Sequence, residues 1–176
     1  MEYFLRFLLC LLKWTLIVVV VASLCVGAFT YAMDYANISV LVSDGMKTRA
    51  GVVLGYTQAD ELPKFFSQEY LSRDTLLQET VYLDYTINSY DAQEEVSALH
   101  TLPWEKTASV VVSESVTIDG ELPISKQTAE QLNDPNKIPP PDWRNGTYAM
   151  TLQKTEDGWI ITDVQPAAAG EETSAD

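Results

Sequence analysis

WTLIVVVVASLCVGAFTYAM, residues Trp14 to Met33, runs for twenty residues without a charge. Coiled as a helix at about 1.5 Å per residue it would cover about 30 Å, the thickness of a bilayer's hydrocarbon core. The stretch therefore reads as a transmembrane helix, and it decides how the rest of the chain is organised. Before it, MEYFLRFLLCLLK carries Arg6 and Lys13 against the single acid Glu2. Beyond Met33 stand 9 basic and 24 acidic residues. Basic residues beside a span stay in the cytoplasm, whereas acids contribute little to orientation. The expectation is a cytoplasmic arm over residues 1–13, a span over 14–33 in contact with membrane lipid, and a C-terminal part outside the cell membrane. Trp14 on one side and Tyr31 and Tyr35 on the other suit the two interfacial aromatic zones. Phe7 to Leu12 is also apolar, so an earlier start with Lys13 snorkelling to the head groups is open.

The competing reading is a cleaved signal peptide with Thr30-Tyr31-Ala32 as the cleavage site. Against it, the apolar run exceeds the roughly 7–15 residues of a signal core. Cys25 follows Leu24, which excludes a lipobox.

The whole chain has 176 residues and a formal charge of −14. An acidic, alanine-rich stretch, residues 167–176, reads as a disordered tail. Residues 34–166, roughly 130 in number, suffice for one domain with its own core. Nucleic acid is excluded as a partner, because a phosphate backbone calls for clustered Lys and Arg. The negative charge also opposes flat adsorption on anionic lipid, and keeps the domain soluble. The two cysteines, Cys10 and Cys25, lie in or beside the span. The outer domain must hold by packing without disulfides, which leans towards a bacterial surface.

In the outer part, Ile38, Val42, Met46, Ala50 and Val53 recur at spacings of four, four, four and three. That is one face of a helix over Asp34 to Leu54, with Gly45 a candidate bend. Asp60 as N-cap, Pro63 in a first turn, and Leu62, Phe65, Phe66 and Tyr70 on one face predict a second helix over Glu61 to Ser72. The period then becomes two. Val81, Leu83, Tyr85 and Ile87 alternate with polar neighbours and predict a strand over Val81 to Asn88, with Tyr90 to Leu99 as its partner or continuation. Ala108, Val110 and Val112 mark a further strand, extended through Val116 and Ile118 to a turn at Asp119-Gly120. Ser125 to Pro141 reads as an insertion with a short helix at Thr128 to Leu132. Thr147 to Lys154 and Trp159 to Val164 flank Glu156-Asp157-Gly158, a hairpin signal.

Helices followed by an antiparallel sheet that closes in GTYAMTLQKTEDGWIITDVQP, residues 146–166, resemble the NTF2-like (cystatin-like α+β) superfamily. The carrying residues are Tyr148, Met150, Leu152, Gly158, Trp159, Ile160, Ile161 and Asp163. The resemblance implies an α+β fold with helices packed on a curved antiparallel sheet around an apolar pocket. A single span followed by such a domain is also similar to VirB8-type subunits of secretion and conjugation machines, though no motif specific to them is present. That likeness rests on architecture alone.

For chemistry, His100 is the one histidine. A zinc site needs three or four ligands, so no metal or other cofactor is expected. No GxSxG turn, phosphate loop or GxGxxG occurs. Some NTF2-like isomerases use an aspartate base with a tyrosine and a protonated acid. By that resemblance the pocket candidates are Tyr82, Asp84 and Asp91, against the simpler reading of Asp84 as an outward strand residue. Trp104 and Trp143 follow proline-containing loops and are candidates for an interface with a protein partner or a second copy, against the commoner role of loop packing. The expectation is a non-enzymatic assembly or interaction module; the alternatives are a small-ligand binder and a pocket isomerase or hydrolase.

Overall fold

The structure, a computed structural model, describes residues 2–128 and 138–167. The apolar stretch and the helix expected after it form one element. Helix α1 runs Glu2–Val53, 52 residues. No proline interrupts it, and its glycines are isolated at 27, 45 and 51. Its most apolar eighteen-residue window is 0 % buried, so α1 is long and apolar enough to cross a membrane. Polar side chains in that half turn back on the helix. Thr15, Ser23 and Thr30 donate to the carbonyls of Leu11, Val19 and Val26 at 2.9, 2.8 and 3.1 Å. No hydroxyl among these three is left without a partner, as an apolar surrounding requires.

Along its last third α1 buries the expected stripe: Ile38, Val42, Met46 and Ala50 are 0 % exposed and Val53 is 7 %. Gly45 does not break the helix. It is a point of close approach, where a Cβ would come within 3.2 Å of both Phe65 and Ile161.

Against that stripe lies a four-stranded antiparallel sheet in sequence order. Its strands are β1 (Thr86–His100), β2 (Thr107–Glu121), β3 (Gly146–Lys154) and β4 (Trp159–Pro166). The chain is therefore α+β, one long apolar helix and an open sheet. The β3–β4 hairpin is where the Glu156-Asp157-Gly158 signal placed it, and Gly158 has φ +132°, which an L side chain rarely adopts. One apolar cluster joins Ile38, Val42 and Met46 to Leu62, Phe66, Val110, Val112, Met150, Leu152 and Ile161. A second joins Ala50, Val53 and Leu54 to Leu76, Tyr82, Val116 and Trp143.

Three expectations are corrected. The helix over Glu61 to Ser72 is two pieces, a 3-10 turn Ala59–Lys64 and α2, Gln68–Arg73. Between them Phe66 bridges to Ile161 of β4 and Ser67 is extended: Ser67 N donates to the Ile161 carbonyl and Ile161 N to the Phe65 carbonyl, each at 2.8 Å. Pro63 lies inside the first piece, and Ser67 caps the second by accepting from Tyr70 N at 3.2 Å. The strand over Val81 to Asn88 instead begins as a 3-10 turn, Val81–Asp84. Tyr82 turns in and Leu83 turns out, 6 % against 66 % exposed. The Tyr82 ring packs on Trp143 at 5.8 Å between centroids, and that aromatic contact outweighs the local alternation. Tyr90 to Leu99 is continuation, not partner. Finally, Asp119-Gly120 is no turn: both residues lie in β2 and face Ser89 and Ile87 of β1. Glycine is needed at 120 because a Cβ there would sit 2.7 Å from the Thr86 carbonyl oxygen.

The insertion opens with a 3-10 turn Ile124–Lys126, and its two ends meet through Leu122 N and the Ile138 carbonyl at 2.9 Å. The short helix expected at Thr128 to Leu132 falls, past Thr128, outside the described residues, as does the tail beyond residue 167.

The sheet has a defined direction relative to α1. Asp34 accepts from Lys154 Nζ at 2.9 Å and from Trp159 Nε1 at 3.1 Å, which ties the β3–β4 turn to the helix just past its exposed apolar half. At the other end Tyr56 donates to the Ile87 carbonyl at 3.1 Å. So β1 and β3 run towards the Asp34 end, and both hairpin turns, β1–β2 and β3–β4, lie at that end.

Candidate functional site

Between the two apolar clusters lies a polar seam. On α1, Arg49 stands three residues after Met46 and four before Val53, inside the buried stripe. Its guanidinium meets the Asp74 carboxylate in a fork: Nε to Oδ2 at 2.6 Å and Nη2 to Oδ1 at 2.8 Å. Arg49 is 7 % and Asp74 5 % exposed. Asp74 sits at the junction of α2 and α3 (Thr75–Gln78), where its Oδ1 also accepts from Leu76 N at 3.0 Å. Burial works against the Asp74 charge, but the Arg49 fork and the helix cap outweigh it and hold the carboxyl below its usual range. Burial likewise works against the Arg49 charge and is outweighed by the Asp74 fork, so the guanidinium stays charged.

The seam continues across the sheet. Glu114 occupies an inward position of β2 between Val112 and Val116 and is 3 % exposed. Its Oε2 accepts from Trp143 Nε1 at 3.1 Å. Directly opposite on β1 is Glu94, whose side chain is fully buried and reaches Lys47 at 3.5 Å. The Oε1 atoms of both glutamates are buried without a partner. Burial, outweighing the hydrogen bonds and cationic neighbours, pushes both carboxyls above their ordinary value of 4.5.

The signs follow. The raised glutamates bind protons in the folded state that the unfolded chain has released, so they draw stability down as pH rises from about 4.5 through their folded values. Asp74 and Asp34, both lowered, contribute above about 3.8 and lose that contribution as pH falls below it. Glu114→Gln keeps an acceptor for Trp143 and removes the titration. The variant should be more stable than wild type at pH 7, with the gap closing near pH 4. Urea midpoints of the full chain in micelles across pH 4–8 check this; a constant gap would refute it.

The seam opens to solvent in a cleft of about 350 Å³ lined in part by Arg49, Tyr70, Arg73, Arg144, Tyr148 and Asp163. Its cations are already matched. Arg73 pairs with Asp163 at 2.9 Å and Arg144 with Glu79 at 2.6 Å, while Tyr148 donates to the Arg144 carbonyl at 2.6 Å. No cation lining this cleft lacks an acid. No group of three or more His, Cys, Asp or Glu side chains suited to a metal occurs among the described residues.

The residues singled out from the sequence do not converge on this cleft. Tyr82 is buried against Trp143, and its hydroxyl donates to the Asp142 carbonyl at 3.3 Å. Asp84 is exposed and pairs with Lys126 at 2.8 Å. Asp91 is on β1 and accepts from Gln93 at 2.8 Å. Trp143 is 5 % exposed and offers no free face, whereas Trp104 is 77 % exposed at the tip of the β1–β2 loop. The seam itself went unread, although a carboxylate at an inward strand position and an arginine within an apolar helical stripe both mark it. No family model matches the chain, and no curated protein or solved structure matches it either.

Proposed function

We propose that this chain is a single-pass membrane protein that carries an extracytoplasmic, NTF2-like α+β domain, and that the domain serves as an interaction or assembly module. The observation that carries the reading is the continuity of α1. One helix supplies both an exposed apolar rod and a fully buried stripe of the domain core, with no linker between them. Such a joint suits a part that holds its position in an assembly rather than one that searches for a substrate. The contact surface proposed is the outer face and free edge of the sheet, where Gln93, Ser109, Ser113 and Thr151 are exposed. A photo-crosslinker at Ser109 or Gln93, activated in intact cells, should trap a discrete higher-mass species; monomer alone at both positions would sink the reading. Protease added to whole cells should reach the domain.

The small-ligand alternative rests on the 350 Å³ cleft. It is the weaker reading, because the lining arginines are engaged internally and a ligand would have to displace Asp74, Asp163 or Glu79. The isomerase reading is weaker still, since Tyr82 is buried against Trp143, Asp84 pairs with Lys126 and Asp91 accepts from Gln93.

A further inference from the structure

The β1–β2 loop joins a geometric and a chemical peculiarity. Leu102 to Glu105 forms a tight turn closed from both sides. Glu105 N donates to the Leu102 carbonyl at 2.9 Å, and Leu102 N donates to Glu105 Oε2 at 3.2 Å. Thr101 beneath it is buried, and Pro103 stiffens it. At its tip Trp104 is 77 % exposed and Leu102 42 %. A rigid turn that presents a tryptophan to solvent needs an occupant for that ring, since large aromatics are ordinarily buried.

The position of the turn names the occupant. Lys154 N donates to the Lys106 carbonyl at 2.8 Å, and the same lysine's Nζ holds both Asp34 oxygens at 2.9 Å. Lys106 thus lies one lysine side chain from Asp34, the first residue past the apolar run. The turn projects beyond Lys106 in the direction opposite to β2, towards the apolar half of α1. Glu94 is level with Ser43 and Lys47. Six residues of strand from Glu94 to His100 descend at most about 20 Å, and twelve residues of helix from position 45 to 33 descend about 18 Å. His100 can therefore reach the level of Met33, and the turn that carries Trp104 continues beyond it on the side of the exposed apolar half of α1, where Tyr31 and Tyr35 stand with ring centroids 6.5 Å apart.

We infer that the Leu102–Trp104 turn is a second membrane contact, inserting Trp104 and Leu102 into the interfacial layer of the leaflet from which α1 emerges. The ligand is lipid at the glycerol and head-group level, where tryptophan and tyrosine concentrate. Lys106 and Lys154 near the turn are offset by Glu105, Glu156 and Asp157, so zwitterionic lipid is the expected surface rather than an anionic one. The contact would fix the domain's rotation about the α1 axis, which one helix alone leaves free. The inference rests on the reading of α1 as a span.

The two native cysteines permit a direct test. In full-length protein with Cys10→Ser and Cys25→Ser, reconstituted in phosphatidylcholine nanodiscs, a nitroxide is placed at Val20→Cys, Leu102→Cys or Ser113→Cys. Accessibility to oxygen and to a water-soluble nickel chelate gives the depth of each. The oxygen-to-nickel ratio at 102 should exceed that at 113 several-fold, and should fall towards the value at 113 when Trp104→Ser is added. A lipid-like ratio at 20 with a water-like ratio at 102 would overturn the second contact and leave the span standing. A water-like ratio at 20 would overturn both. Shielding of 102 from both reagents would assign the turn to a protein partner instead. Far-ultraviolet circular dichroism of each labelled chain separates these outcomes from misfolding.

Discussion

Arg49→Met should destabilise the domain by about 3–5 kcal/mol, the cost of leaving a buried carboxylate without its partner. Asp74 is 5 % exposed, and its two oxygens are met by Arg49 and the Leu76 amide. Removing the guanidinium leaves the Leu76 cap bond and the Tyr70 hydroxyl against desolvation of the charge. The damage should be worst at neutral pH and ease as pH falls towards 3.8 and through it, because burial no longer opposed by Arg49 raises the Asp74 carboxyl of the variant above that value. Arg49→Met with Asp74→Leu removes both charges and should recover most of the loss, because a buried ion pair is worth little against apolar side chains of similar volume. Guanidinium titrations of the full chain in micelles, followed by tryptophan fluorescence, measure both. A single variant within 1 kcal/mol of wild type would mean that water reaches the seam.

Val40→Pro should cost about 3 kcal/mol or more, and its effect should extend beyond stability. Val40 is 60 % exposed, so no packing is lost by truncating it, and Val40→Ala is the neutral control. Proline there removes a helical hydrogen bond and crowds the carbonyl of Ala36, between the exposed rod and the buried stripe that starts at Ile38. The resulting kink would tilt the sheet away from the axis of the apolar half. Crosslinks formed at Ser109 or Gln93 should weaken more than the loss of folded protein accounts for. Crosslinking in strict proportion to folded protein would show that the joint needs no stiffness.

The parts of the fold legible in the sequence were those set by local pattern. The stripe from Ile38 to Val53 and the Thr147–Val164 hairpin each carry their period and their turn residues within a few positions. What stayed hidden depended on distant partners. Tyr82 is drawn inward by Trp143, sixty-one positions away, so the alternation over Val81 to Asn88 pointed the wrong way. Asp119-Gly120 has the composition of a turn, but the glycine answers to the nearby Thr86 carbonyl across the sheet. The break at Phe65 to Ser67 arises because β4 offers hydrogen bonds to the chain on either side of Phe66, and no periodicity encodes that. The polar seam was half legible. Glu114 stands at an inward position in a valine-rich strand, yet only the register that sets Glu94 opposite it reveals two buried carboxyls side by side.

On the proposed reading of α1 as a span, its unbroken course also caps how far the domain extends from a bilayer. From Asp34 to Val53 the helix rises about 30 Å, and the sheet folds back alongside it rather than stacking on top. A partner of the proposed module would have to come down to that height, much as a ship ties up to a short bollard. A structure standing well clear of the surface would be out of reach, since α1 runs unbroken from its exposed apolar half into the core stripe.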